Sequence, residues 1–169
     1  MIDFGKKLKE AKVAKALRPE EIYDSLDRTT EAGPLREVQK NILEEWYEHY
    51  RDKKDLIIKL HTGEGKTLIG LLILQSILNQ KAGPSIYICP TKNLAAQVMK
   101  EAKKFGIPFC TITDSYLPVE YENGDKILIT YVHKVFNGRT VFGRRGQTIA
   151  FGCCILDDSH ACIESIQAN

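Results

Sequence analysis

The sequence predicts an α/β fold, three layers of α/β/α with a mainly parallel sheet, preceded by a small helical extension. Three observations carry this expectation. After Asp55, short apolar runs alternate with longer stretches of helical period, the rhythm of β-α-β units whose crossovers make neighbouring strands parallel. The runs DLIIKL, SIYICP, KILITY and CCILDD are nearly continuous in apolar residues, as strands buried on both faces are. The joint between the first run and the helix after it is HTGEGKT, residues 61–67, a glycine loop ending in Lys66-Thr67. A strand, such a loop and a helix in that order make a phosphate-binding junction.

The extension is expected over residues 1–33. Ile2, Phe4, Leu8, Val13, Ala14 and Leu17 predict a helix over Ile2–Leu17. Pro19 opens a second, PEEIYDSL, with Glu20 and Glu21 in the first turn, where acids suit the helix dipole. DRTTEAGP is a turn-rich break. The α/β domain is predicted over 34–169. PLREVQKNILEEWYEHYRDK starts with proline and puts Leu35, Val38, Ile42, Leu43, Trp46 and Tyr50 at helical spacing. DLIIKL follows as a strand and KTLIGLLILQSILNQ as a helix. SIYICP is the next strand, and TKNLAAQVMKEAKKFG a helix closing on Lys-Lys and then glycine. PFCTIT is a weaker strand, and KILITY and CCILDD complete the set. Only eleven residues follow Asp158, which predicts a fragment of a longer protein.

Composition narrows the function. A chain of 169 residues with 43% hydrophobic and 27% charged residues is globular, neither disordered nor fibrous. A formal charge of +2 is too balanced to argue for a polyanionic partner. Six Lys/Arg against two acids in the first eighteen residues suit a solvated helix face or a nucleic-acid contact. Five cysteines without a C-x-x-C pair read as reduced thiols of a cytoplasmic protein, with no zinc-ligand spacing. The amino terminus lacks a signal-peptide core, and the apolar run near Leu68–Leu78, interrupted by Gln75 and Ser76, is too short to span a bilayer.

Two features carry chemistry. Gly63 and Gly65 let the chain turn tightly, so that loop N–H groups and the helix amino terminus at Lys66 form an anion nest. Lys66 would reach β- and γ-phosphate oxygens and the Thr67 hydroxyl would ligate Mg²⁺. Leu60 stands where the strict G-x-x-x-x-G-K-[ST] pattern has its first glycine; the alternative is a plain strand-to-helix connection with a surface lysine. The second feature is Asp157-Asp158 at the end of CCILDD. In a parallel sheet this strand end faces the same edge as the loop. Asp157 can then bind Mg²⁺ through water and Asp158 can orient an attacking water, or the pair can simply cap the next helix.

The combination resembles the superfamily-two helicases, the group of DEAD-box and DEAH-box proteins. HTGEGKT resembles their motif I, ICPTKNLAAQV their P-T-R-E-L-A-x-Q motif with Lys92-Asn93 for Arg-Glu, and LDDSH their D-E-x-D/H box. LREVQ is similar to the R-x-x-Q adenine motif, and ILITYVHKVFNG to a strand and turn beside the nucleic acid in some members. The resemblance, from about Arg36 to His160, implies a RecA-like domain 1 that binds ATP and Mg²⁺. It puts Thr62, Gly63, Glu64, Gly65, Lys66 and Thr67 around the phosphates, Gln39 on the adenine edge and Arg36 near the base. It places Pro90, Thr91 and Lys92 on a single nucleic-acid strand, RNA or DNA, and makes His160 a coupling residue. Arg139, Arg144 and Arg145 form a basic loop that suits nucleic acid or a solvated hairpin.

Three departures qualify the resemblance. Asp158 replaces the usual Glu, and the S-A-T motif and the second RecA-like domain with its arginine finger are missing, so the chain alone is expected to bind nucleotide weakly and not to unwind duplexes. A restriction or phage-defence motor that translocates on DNA without unwinding, and a stand-alone nucleotide-dependent interaction module, are the other readings.

Overall fold

A computed structural model describes residues 15–61, 63–113, 116–138, 140–146 and 151–168. The first predicted helix therefore lies outside the described residues up to position 14. Lys15–Leu17 is not helical. The backbone there straps the far end of a later helix, with Leu17 O accepting from Ser76 Oγ (2.5 Å) and Ala16 O from Asn79 Nδ2 (2.7 Å).

Helix α1, Pro19–Ser25, begins on its proline as expected and buries Ile22 and Tyr23. Helix α2, Glu37–Glu45, runs into one π turn, Trp46–Tyr50. A π turn advances the phase by about one residue. Trp46 and Tyr47 are thus both buried, whereas Tyr50, expected on the apolar face, is exposed. Val38 is exposed too, and the buried position beside it belongs to Gln39. Helix α3, Lys66–Asn79, is buried at every residue from Leu68 to Leu78, as a helix that is apolar all round must be. Gly70 allows its approach to the sheet, for a Cβ there would lie 2.9 Å from Tyr87 Cε2.

Among the described residues the sheet has four parallel strands, β1 (Ser85–Cys89), β2 (Phe109–Cys110), β3 (Ile127–Tyr131) and β4 (Cys153–Leu156), in the order β2-β3-β1-β4. Helix α4, Lys92–Lys104, links β1 to β2; α5 (Val119–Glu122) precedes β3, α6 (Val132–Val135) follows it, and α7 (Ser159–Gln167) follows β4. Side chains alternate across the sheet. Tyr87, Cys89, Ile127 and Ile129 pack with α1 to α4. Ile86, Ile88 and Leu128 pack on the other face with Tyr121 of α5, Val132 and Val135 of α6, Phe142 and Cys162 of α7. The result is the three-layer α/β fold that the sequence predicts, its mainly parallel sheet being all-parallel among the described residues.

One predicted strand is corrected. Residues 56–60 carry no ladder bonds, and Leu56, Ile57 and Ile58 are 43%, 77% and 40% exposed. Only Leu60 of this run packs on the core. Four apolar residues specify a demand for burial, but a strand also needs a neighbour, and among the described residues no strand lies beside this run. PFCTIT shrinks to Phe109–Cys110, since Thr113 turns back to bridge Tyr116.

All five cysteines are free thiols. Burial pushes Cys89 and Cys154 up to about 12 and Cys110 and Cys162 up to about 11, which keeps them protonated and unreactive. Among the described residues, no helix is long and apolar enough to cross a membrane.

Candidate phosphate-binding site

The loop before α3 is built around two left-handed glycines, Gly63 at φ 90° and Gly65 at φ 80°. Gly65 is the residue just before the helix. Its first intrahelical bond runs from Ile69 N to Gly65 O, 3.2 Å, so the N–H groups that open the helix have no partner within it. Two side chains of the α2 entry brace the loop. Arg36 Nη1 donates to Gly63 O (2.8 Å) and Gln39 Nε2 to Glu64 O (3.0 Å). Gln39 Oε1 accepts from Arg36 N at 3.0 Å, so one buried amide ties helix start to loop. His61 N donates to Glu64 Oε2 at 2.8 Å, closing the loop on itself. A Cβ on Gly65 would overlap Gln39 Nε2. Thus Gly65 is required both by its φ and by the close approach of the brace.

These elements bound a cavity of about 580 Å³, within the size range of small-molecule sites. Arg36, Gln39, Gly63, Gly65, Lys66, Thr67 and Asp157 all line it. Two aromatic rings also line it, Tyr23 and Phe105, with centroids 6.0 Å apart, and the Arg28 guanidinium lies 4.1 Å from the Tyr23 ring centroid. Asp157 leaves the end of β4 with its N–H donating to Ile88 O (2.9 Å). Burial is the main cause that raises its carboxyl above the usual range, and Asp158 adds to it. The Tyr87 hydroxyl and the Lys66 ammonium pull the other way. A carboxylate held so, opposite a lysine and a threonine on a helix amino terminus, suits a divalent cation.

The other predicted residues sit apart from the cavity. Asp158 adopts a left-handed φ of 51° and its Oδ1 accepts from Ala161 N at 3.3 Å, capping α7. His160 is exposed, with Nδ1 3.3 Å from Glu164 Oε1. Pro90, Thr91 and Lys92 lie where β1 meets α4, and Thr91 Oγ1 accepts from Leu94 N (3.3 Å) as the helix cap. They share with Asp157 the carboxyl-terminal edge of the parallel sheet. Glu64 faces the loop and not the cavity wall. Thr62, Arg139 and the side chains of Arg144 and Arg145 lie outside what is described.

Two cavity neighbours have no mark in the sequence. Glu101 lines the cavity from the last turn of α4, and burial together with the Asp157 charge raises its carboxyl, against the pull of Lys104 and the Thr67 hydroxyl. Tyr87 reads in sequence as a strand residue, yet it is buried against Gly70 of α3, and burial, with the Asp157 charge adding to it, pushes its phenol up. Only the packing of α3 and α4 on one face of the sheet brings them here.

A family model described as "Type III restriction enzyme, res subunit" matches residues 33–168. The chain belongs to this family. It is a superfamily-two helicase-like domain with a P-loop fold of nucleotide-binding type. The match spans the α2 brace, the glycine loop, β1 to β4 and Asp157, and starts at the last residue of the predicted extension. No curated protein matches the chain.

Proposed function

We propose that this res-subunit domain is the ATP- and Mg²⁺-binding part of a motor that moves on nucleic acid. The observation that supports it best is one cavity lined by both the amino terminus of α3 and Asp157 of the β4 end. The residues fit a nucleoside triphosphate: a loop turned by two left-handed glycines, a lysine and unpartnered helix N–H donors for phosphate, and an acid and a hydroxyl on one cavity for the cation. Lys66 and the loop amides would hold the β- and γ-phosphates, and Thr67 with Asp157 would hold Mg²⁺. The cation would supply charge neutralisation between the phosphates. Gln39 keeps one N–H and one lone pair beyond its bonds to the loop, enough to read an adenine edge, with Arg36 beside the base. Asp158 would orient water from its capping position. Pro90, Thr91 and Lys92 would contact a nucleic-acid backbone, and His160 would couple the site to a second domain needed for hydrolysis.

Of the two motor readings, the family match favours a restriction motor translocating on duplex DNA over a DEAD/DEAH-type unwinding helicase. The test is ATP hydrolysis by the full-length protein with single-stranded RNA, single-stranded DNA or duplex DNA, together with strand-displacement and translocation assays. Duplex DNA is expected to stimulate most and no strand to be released. Hydrolysis indifferent to all three nucleic acids would remove the motor reading.

A further inference from the structure

A line of hydrogen bonds joins α1 to the phosphate loop. Tyr23 Oη donates to Gly33 O at 2.6 Å. Three residues on, Arg36 N donates to Gln39 Oε1, and Arg36 Nη1 and Gln39 Nε2 hold the carbonyls of Gly63 and Glu64. Between these points Pro34 has its φ fixed by its ring and Leu35 is buried, so the link is short and stiff. Gly33 is its soft point. It is exposed, and a Cβ there would meet nothing within 4 Å, so packing does not set the direction of a residue with this much backbone freedom. The Tyr23 hydroxyl sets it.

Tyr23 is held without help from the loop. It is 1% exposed, and its ring packs with Phe105 and carries the Arg28 guanidinium. The chain on both sides of α1 is tied elsewhere: Ala16 O and Leu17 O to Asn79 and Ser76 at the far end of α3, and Thr29 N to Lys104 O at 3.0 Å. Tyr23 also lies ahead of Gly33, where the family match begins. We propose that Tyr23 is a positioning residue for phosphate binding, its bond to Gly33 O setting the entry of α2 and, through Arg36 and Gln39, the direction of the loop amides. A peptide N–H points away from its own C=O, so Glu64 O held against Gln39 turns the Gly65 N–H away from the brace. The inference rests on the reading of the loop as a phosphate site, and it requires no base.

The experiment compares wild type with Tyr23→Phe in amide-shift titrations of the ¹⁵N-labelled chain. The ligands are tripolyphosphate and a non-hydrolysable ATP analogue, each with Mg²⁺, and thermal unfolding is measured alongside. Phenylalanine keeps the ring and removes only the hydroxyl; the exposed Gly33 O then takes water, so unfolding is expected to change little. Affinity is expected to fall about three- to tenfold for both ligands alike, the worth of one hydrogen bond. The control is Tyr121→Phe, which removes a buried hydroxyl with no partner among the described residues on the other face of the sheet. It is expected to bind both ligands as wild type does. Unchanged affinities in Tyr23→Phe overturn the proposal, as does an equal loss in Tyr121→Phe. A loss confined to the ATP analogue also overturns it, because Tyr23 would then act on the base. A wild-type chain that binds neither ligand refutes the phosphate reading of the loop itself, and this inference with it.

Discussion

Lys66→Ala removes ATP-analogue binding while leaving the fold intact. Lys66 is solvent-exposed at the first position of α3, where alanine is a better helix former, so the stability change is expected to stay within about 0.5 kcal/mol. Binding is different. A charge-assisted bond to phosphate is worth about 1.5–3 kcal/mol, or roughly ten- to a hundredfold in affinity. Lys66 is also the cation that offsets Asp157 across the cavity. Without it the incoming polyanion meets the Asp157 carboxylate with no lysine at the helix start to offset it. Equilibrium binding with matched unfolding curves checks this; an affinity unchanged by the substitution would remove Lys66 from the phosphate site.

Gly65→Ala is expected to lose both stability and binding. A non-glycine residue in the left-handed region costs about 1–2 kcal/mol. The new methyl would also drive Gln39 from its position, breaking the bond to Glu64 O and stranding a buried amide at about 1–3 kcal/mol. For a domain of this size each kcal/mol is worth a few degrees in Tm, so thermal unfolding should fall by several degrees. Nucleotide affinity should fall at least as far as in Gln39→Ala, which removes the same brace without backbone strain. A Gly65→Ala protein that unfolds and binds as wild type would show that the loop does not need its left-handed turn.

Much of this site was legible in the sequence because its chemistry is local. Gly63, Gly65, Lys66 and Thr67 are contiguous, and their conformations follow from residue type. Asp157 was legible because a buried parallel strand delivers its last residue to a known edge. Where the reading stopped, the cause was tertiary. The apolar pattern of residues 56–60 states that burial is wanted and cannot state which strand lies beside it. The π turn at Trp46–Tyr50 shifts the buried face by one residue, which no 3.6-residue period foresees. Gln39 was read as a base-contacting group, and its bonds to the loop appear only once α2 and the loop are adjacent. Glu101 reaches the cavity, and Tyr87 packs against α3 near it, from a helix and a strand that carry no motif at those positions.

The account turns on one cavity serving as a nucleotide site, and an NMR titration of the ¹⁵N-labelled chain with Mg²⁺ and a non-hydrolysable ATP analogue tests it most directly, even for weak binding. The predicted result is a saturable set of amide shifts centred on Gly63 to Leu68, Gln39 and Asp157, absent in Lys66→Ala. Shifts centred elsewhere on the folded chain, or none at millimolar analogue, would contradict it.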